Sequence, residues 1–166
     1  MLVDSIKERF GADILSAESA HGNDAIVVAR ERAPELLRTL RDDSELAFES
    51  LADLTAVDWP DRDPRFDVVY QLHSLSKRHR VRVKIRVAAN DAWAHSATAL
   101  WKSADWLERE CYDMFGIDFR GHPDLRRILM YDEFQGHPLR KDYPVAKRQP
   151  LVPETDPVLH PLRSSR

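Results

Sequence analysis

The run Arg80-Val81-Arg82-Val83-Lys84-Ile85-Arg86-Val87 alternates without a break between a cation and an aliphatic residue. Successive side chains of a strand point to opposite faces, whereas a helix brings positions three and four apart together, so this pattern specifies a strand. It also dictates the surroundings. Val81, Val83, Ile85 and Val87 need an apolar layer over them, while the cations must face solvent or an acceptor surface. Residues 66–75 are the expected hairpin partner, reached through Ser76-Lys77-Arg78-His79. The cationic face reads most simply as solvated; contact with a partner protein is the other reading.

Around this strand the chain alternates in character. Residues 2–10 have helical spacing at Ile6, Arg9 and Phe10. Residues 14–20 and 25–29 read as short strands about a His21-Gly22-Asn23-Asp24 turn. An amphipathic helix follows over 31–41, with Leu36, Leu37 and Leu40 inward and Pro34 in its first turn, where a missing N–H costs little. Residues 48–57 fit helix or strand, and the second half is expected to be a strand.

The best-defined helix spans Ala104 to Phe115. Ser103 can cap it, Asp105 complements the dipole, Gly116 can end it in a left-handed conformation, and Ile117 can fold back. Ala104, Leu107, Cys111 and Met114 form its apolar stripe, and Leu107, Cys111 and Met114 are expected to pack against the sheet formed by Val81, Val83, Ile85 and their hairpin partners. Asp105, Arg109 and Asp113 are spaced four apart, which would set the guanidinium between two carboxylates. The expected fold is therefore α+β: a single two-layer domain, mostly antiparallel sheet with helices packed on it, followed by an extended C-terminal arm. The domain covers residues 1–118, a docking arm 119–146 and a proline-rich tail 147–166.

Composition narrows the chemistry. The chain has 166 residues, enough for one buried core, and a formal net charge of −3, which argues against a general pull toward nucleic acid or anionic lipid. Its longest aliphatic run, Ala25-Ile26-Val27-Val28-Ala29, is too short to span a bilayer, and no signal peptide is expected at its start. A single cysteine, Cys111, excludes an internal disulfide and an ordinary iron–sulfur cluster held by this chain alone. There is no glycine-rich phosphate loop or dinucleotide fingerprint.

Three site hypotheses are weak on their own terms. Glu108-Arg109-Glu110 with Asp113 is a dense acidic group, but Glu108 and Glu110 point about 200° apart on a helix, so a charged helix face is the simpler reading. His122 and His137, near Asp124 and Asp142, lack the close His or Cys pairing of zinc sites and read as turn-shaping histidines bonded to backbone carbonyls. No serine sits in a nucleophile elbow, and Cys111 faces the apolar stripe.

What remains is an echo. Gly121-His122-Pro123 leads through Asp124 to Leu125-Arg126-Arg127, and Gly136-His137-Pro138 leads to Leu139-Arg140-Lys141 and then Asp142-Tyr143-Pro144. Two of the five glycines sit in these phrases, and recurrent prolines forbid long helix here. Apolar anchors (Leu125, Ile128, Leu129, Leu139) and paired cations suit a strap that docks on another protein, with arginine forks aimed at carboxylates or carbonyls.

Trp106-Leu107-Glu108-Arg109-Glu110, then Tyr112-Asp113-Met114-Phe115-Gly116-Ile117, then the first Gly-His-Pro phrase through Ile128-Leu129, closely resembles the signature of the C-type subunit of proton-pumping NADH–quinone oxidoreductase, respiratory complex I. The second phrase resembles the segment that follows it there. Weaker resemblance extends to Asp53-Leu54-Thr55-Ala56-Val57-Asp58 and Tyr70-Gln71-Leu72. The resemblance implies an α+β domain in the hydrophilic arm, on the cytoplasmic side of a bacterial inner membrane. It would pack there on the large D-type subunit that helps form the quinone pocket. The resemblance also implies no cofactor in this chain, FMN and iron–sulfur clusters residing in partner subunits, and no nucleic acid. The partner interface would draw on Glu108, Arg109, Glu110, Asp113, His122, Asp124, Arg126, Arg127, His137, Arg140, Lys141, Asp142 and Tyr143. Equivalent subunits serve membrane-bound nickel–iron hydrogenases and F420-dependent dehydrogenases, which is the alternative.

Overall fold

A computed structural model describes residues 2–152. Helix α1 (Leu2–Phe10) leads through a tight turn at Gly11–Asp13 into β1 (Ile14–Ala20) and β2 (Asn23–Val28). Then come α2 (Ala33–Asp42), β3 (Ser50–Asp58), β4 (Phe66–Ser74), β5 (His79–Val87), β6 (Trp93–His95), α3 (Ala104–Phe115) and β7 (Asp118–Arg120). The main sheet has the order β1-β2-β5-β4-β3, and β6 and β7 form a second, two-stranded sheet.

Two substructures meet in the main sheet. β1 and β2 are an antiparallel hairpin closed by His21 and Gly22, whose φ of 51° and 73° suit the tight turn that matches strand twist. β3, β4 and β5 form an antiparallel meander. The chain leaves β2, crosses through α2 to the far edge and returns strand by strand to the centre, so β5 pairs with β2 in parallel. The alternation of β5 shows this strand but not the direction of its second neighbour. The strand expected over 25–29 begins at Asn23, and β3 occupies most of the ambiguous 48–57 segment.

The α+β class is as the sequence implies. Ile26 and Val28 of β2, the odd-numbered valines and isoleucine of β5, Phe66, Val68, Tyr70 and Leu72 of β4, and Leu54 and Ala56 of β3 share one apolar cluster with Ile6, Leu36, Leu37, Leu40 and Cys111. Arg80, Arg82, Lys84 and Arg86 lie on the other face, which carries no helix in that cluster.

Helix α3 departs from the sequence expectation in two ways. It packs across β3 rather than β5, because Ser103 Oγ donates to Leu51 O at 3.0 Å and the buried indole of Trp101 donates to Phe48 O at 3.2 Å. Ser103 therefore ties the helix to the sheet and makes no side-chain cap. Of the expected stripe, Ala104, Cys111 and Met114 are buried, together with Glu108, Asp113 and Phe115, while Leu107 is only half-buried at the margin. Glu108, expected on a charged face, points into the core.

Leu54→Ala should accordingly destabilise the chain by about 2–5 kcal/mol, as for a fully buried leucine. Leu107→Ala should cost only about 1–2 kcal/mol, since only part of its area leaves water. Urea unfolding of both variants checks the order, and equal losses would mean that the helix is rotated differently.

Candidate functional site

The C-terminal end of an α-helix leaves carbonyls that no later turn can satisfy, and its partial negative charge favours nearby cations. Helix α3 has no basic residue in its last turn. Gly116, at φ 70°, returns its N–H to Tyr112 O at 2.8 Å. The next carbonyls are satisfied from the second Gly-His-Pro phrase. His137 Nδ1 donates to Asp113 O at 3.0 Å, Leu139 N–H to Met114 O at 3.1 Å, and Arg140 Nε to Phe115 O at 2.5 Å. Residues 121–149 are thus a strap closed over the end of α3. Burial, with Arg140 and Arg127 nearby, lowers the pKa of His137 and favours the neutral ring that donates this bond.

Gly116 has to be glycine for a second reason. A Cβ there would lie 2.4 Å from His137 Nε2 and 2.8 Å from an Arg140 guanidinium nitrogen. The strap is seated directly on the helix terminus.

Asp113 makes the reciprocal contact. One carboxylate oxygen accepts the N–H groups of Ile128, Leu129 and Met130 at 3.1, 2.8 and 2.8 Å. The other accepts Arg127 Nη1 at 2.6 Å. Burial opposes the charge, but the Met130 and Leu129 amides, Arg127 and the Ile128 amide outweigh it and hold the carboxyl below its ordinary value. Arg127 also donates to Phe134 O and Gly136 O, both at 3.1 Å, and so links the two phrases.

The first phrase grips the other end of the helix. His122 Nδ1 accepts the Asp124 N–H at 3.0 Å, which leaves Nε2 to donate to Asp105 O at 3.1 Å. Both histidines therefore bond helix carbonyls, eight positions or about 12 Å apart along the axis. Arg109 does not sit between Asp105 and Asp113. It reaches the strap instead, donating to Arg126 O at 3.3 Å and Arg127 O at 3.2 Å.

The strap ends against the sheet. Arg65 donates to both oxygens of Asp58, at 2.7 and 2.8 Å, and to Asp142 at 2.8 Å, while Asp58 also accepts the Lys141 N–H at 2.7 Å. The Arg65 bond holds the Asp58 and Asp142 carboxyls below their usual range. Tyr143 stacks on Phe134 with ring centroids 5.9 Å apart, and a Cβ on Gly136 would meet it at 2.9 Å.

A second buried group lies under α3. Glu108 accepts from Ser96 Oγ at 2.7 Å and Ala97 N–H at 2.6 Å, and burial raises its pKa to about 7. The Tyr70 hydroxyl, also buried, has no hydrogen-bond partner among the described residues. Sequence reading missed this pocket of polarity, as it missed Asp58, Arg65 and Ser96.

The sequence-derived interface residues thus divide. Arg109, Asp113, His122, Arg127, His137, Arg140 and Asp142 are occupied within the chain, and Glu108 is in the core. Arg126, Asp124 and Glu110 are exposed, with Arg126 paired to Asp124 at 2.9 Å. Lys141 is exposed although its amide is bound, and Tyr143 is half-buried. Outward along the strap stand Leu129, Leu139 and Tyr131, 57%, 50% and 43% exposed. Among the described residues no group of three or more His, Cys, Asp or Glu could hold a metal ion, and no helix is long and apolar enough to cross a membrane.

Comparison with known proteins gives the class first. The C-type subunit of NADH-quinone oxidoreductase from Citrifermentans bemidjiense is 52% identical over 140 residues, 84% of this chain and 86% of that protein. The Agrobacterium fabrum protein of the same name is 47% identical, covering 84% of this chain and 70% of its own length. A solved trypsin-resistant fragment of Nqo5 superposes with a TM-score of 0.66 at 34% identity, over 75% of this chain and 96% of the fragment. A chain in the structure of a membrane-bound sulfane sulfur reductase, an archaeal respiratory membrane complex, shares the fold at TM-score 0.73 and 22% identity, covering 87% of this chain and 85% of that one. These matches define a component of a multi-subunit oxidoreductase. The model for the 30 kDa subunit of respiratory-chain NADH dehydrogenase matches residues 26–149, and the chain belongs to that family.

Asp113→Asn keeps the shape but replaces an acceptor by a donor that opposes the strap amides. It should cost about 3–5 kcal/mol, as for a broken buried charge pair, and open the strap to protease. Arg127→Ala should lower the melting temperature for the same reason, whereas Arg126→Ala should shift stability by about 0–1 kcal/mol.

The titrations oppose one another. Asp113 and His137 have folded pKa values below their unfolded ones, so their stabilisation is present above the unfolded values and lost as pH falls through the folded ones. For His137 that loss begins below about pH 6.5. Glu108 is raised from 4.5 to about 7, so its contribution is complete below 4.5 and lost as pH rises through about 7. Urea unfolding across pH 5–8 should show Glu108→Gln losing less stability on the alkaline side than the parent chain.

Proposed function

We propose that this chain is the subunit without a cofactor of its own in the peripheral arm of a proton-translocating NADH–quinone oxidoreductase. It supports electron transfer from NADH to quinone by docking on the large D-type subunit, while FMN and the iron–sulfur clusters reside in partner subunits. It associates peripherally, through those partners, with the cytoplasmic side of a bacterial inner membrane, and takes no nucleic acid. The relatives that carry the name of the C-type subunit of NADH-quinone oxidoreductase favour this complex over hydrogenase-type or F420-dependent assemblies.

One observation carries the docking reading. The inner edge of the strap is saturated by the chain's own groups, yet the same segment turns Leu129, Leu139 and Tyr131 to solvent. Apolar side chains held outward on a fixed backbone suit the centre of a protein interface. The sequence expectation gave Arg126 and Arg127 the same interface role. We assign them different roles: Arg127, which clamps Asp113, holds the strap, and the exposed Arg126, paired with Asp124, meets a partner's acceptors at the rim.

The full chain, tagged and purified in mild detergent from cells that make the whole complex, should bring down the D-type subunit and the other hydrophilic-arm subunits. Leu129→Asp with Tyr131→Asp should abolish that capture and membrane NADH–quinone reductase activity while the melting temperature of the isolated chain stays close to the parent's. The isolated chain should show no flavin or iron–sulfur absorbance and no NADH oxidation. Retained capture by the double variant would move the interface away from the strap.

A further inference from the structure

The strap lies on the helix side of the sheet, and the opposite side carries an organised surface of its own. Arg80, Arg82, Lys84 and Arg86 project from the central strand β5 at alternate positions. Among the described residues, no carboxylate forms an ion pair with Arg80, Arg82 or Lys84. Arg82 meets only the neutral Gln71, at 3.4 Å. Arg86 lies 3.8 Å from Asp67, whose carboxylate already accepts Arg62 and the Trp59 indole. Lys84 is half-buried between Val27 of β2 and Val69 of β4, its register partners, and both valines are buried outside the main apolar cluster. The row thus holds three cations, Arg80, Arg82 and Lys84, with no ion pair among the described residues, and a fourth, Arg86, that shares Asp67, over the buried Val27 and Val69, in a chain whose net charge is −3.

We infer that this face is a second docking surface and that its occupant is an acidic helix of a partner protein. Like charges held side by side on a sheet repel, and an opposing row of carboxylates relieves that repulsion. A single helix is the element that can cover a sheet face by itself, and it can present a row of nearly matching spacing. Alternate residues of a strand are about 6.7 Å apart, so the row spans about 20 Å. Carboxylates four apart on a helix repeat every 6 Å or so, covering about 18 Å in the same number of steps. Long Arg and Lys side chains absorb the difference. The net negative charge of the chain disfavours a polyanion that would cover the whole surface, while leaving a local acidic contact favourable. The contact is independent of the strap, and the sheet would then stand between two neighbours.

The test uses the full chain in cells that make the whole complex, with a photo-crosslinking p-benzoylphenylalanine in place of Lys84 and, in a companion chain, of Tyr131. The expected product at 84 is a cross-link to a segment with at least three Asp or Glu at helical spacing. In the otherwise unaltered chain, Arg82→Glu with Lys84→Glu should weaken binding of that segment on the order of a hundredfold. Arg82→Gln with Lys84→Gln, which adds no like charge and whose melting temperature should match the parent's, should weaken it roughly tenfold, with both losses shrinking as salt rises. Capture at 84 without capture at 131 would support this surface and count against the strap as the docking element. A cross-link to lipid, nucleic acid or a non-acidic segment, no cross-link at all, or unchanged affinity in the Gln pair would overturn the inference.

Discussion

The end of α3 is the constraint on which the rest depends. A helix that stops inside a protein must find donors for its last carbonyls, and this one has no basic side chain in its final turn. Its donors come from residues 137–140, more than twenty positions on, and Asp113 in turn accepts three successive amides from residues 128–130. The two requirements complement each other. An irregular segment with unpaired amides and a helix end with unpaired carbonyls become a single hydrogen-bonded unit. Arg127 and Arg140 add positive charge where the helix dipole is negative.

That unit is held to the sheet at two levels. Ser103 and Trp101 fix the start of α3 on β3, and Asp58, at the end of the same strand, binds the far end of the strap through Arg65 and the Lys141 amide. Helix, strap and edge strand thus form a closed circuit that fixes the backbone from which the outward side chains project. Beneath the circuit Glu108 and Tyr70 place polar atoms in the core. Glu108 is satisfied by Ser96 and Ala97, whereas the Tyr70 hydroxyl has no partner among the described residues. Burying a carboxyl there costs free energy at neutral pH, which ties the packing of α3 to its protonation.

The sequence made the periodic parts legible. The alternation of β5, the left-handed Gly116 and the glycine turns of the Gly-His-Pro echo each state a local backbone requirement that is met, whereas Arg127 and Arg140 of the echo, expected to reach a partner, bond the chain's own helix and strap. The histidines bond helix carbonyls, as their turns suggested. What periodicity could not show was partnership at a distance. Glu108 reads as surface because its partners, Ser96 and Ala97, lie in a loop that no pattern assigns to the helix. Arg109 reads as a bridge within α3 because the strap carbonyls that outcompete Asp105 and Asp113 are brought close only by the tertiary fold. The Asp58 contact joins residues 83 apart, and the parallel pairing of β2 with β5 depends on the path of the crossover, which neither strand encodes.

The strap has a consequence for how the molecule meets its neighbours. A loose arm that takes shape only on contact surrenders backbone freedom at that moment, roughly 1–2 kcal/mol for each residue fixed. Here the Asp113 amide cluster, the two histidine bonds and the Arg65 bridge have already settled that freedom during folding of the chain. In the docking proposed above, the arm would arrive at an encounter preorganised, so its contacts would go to affinity with little ordering entropy to offset. Such an association would approach rigid-body docking, with its rate set by orientation and electrostatic steering.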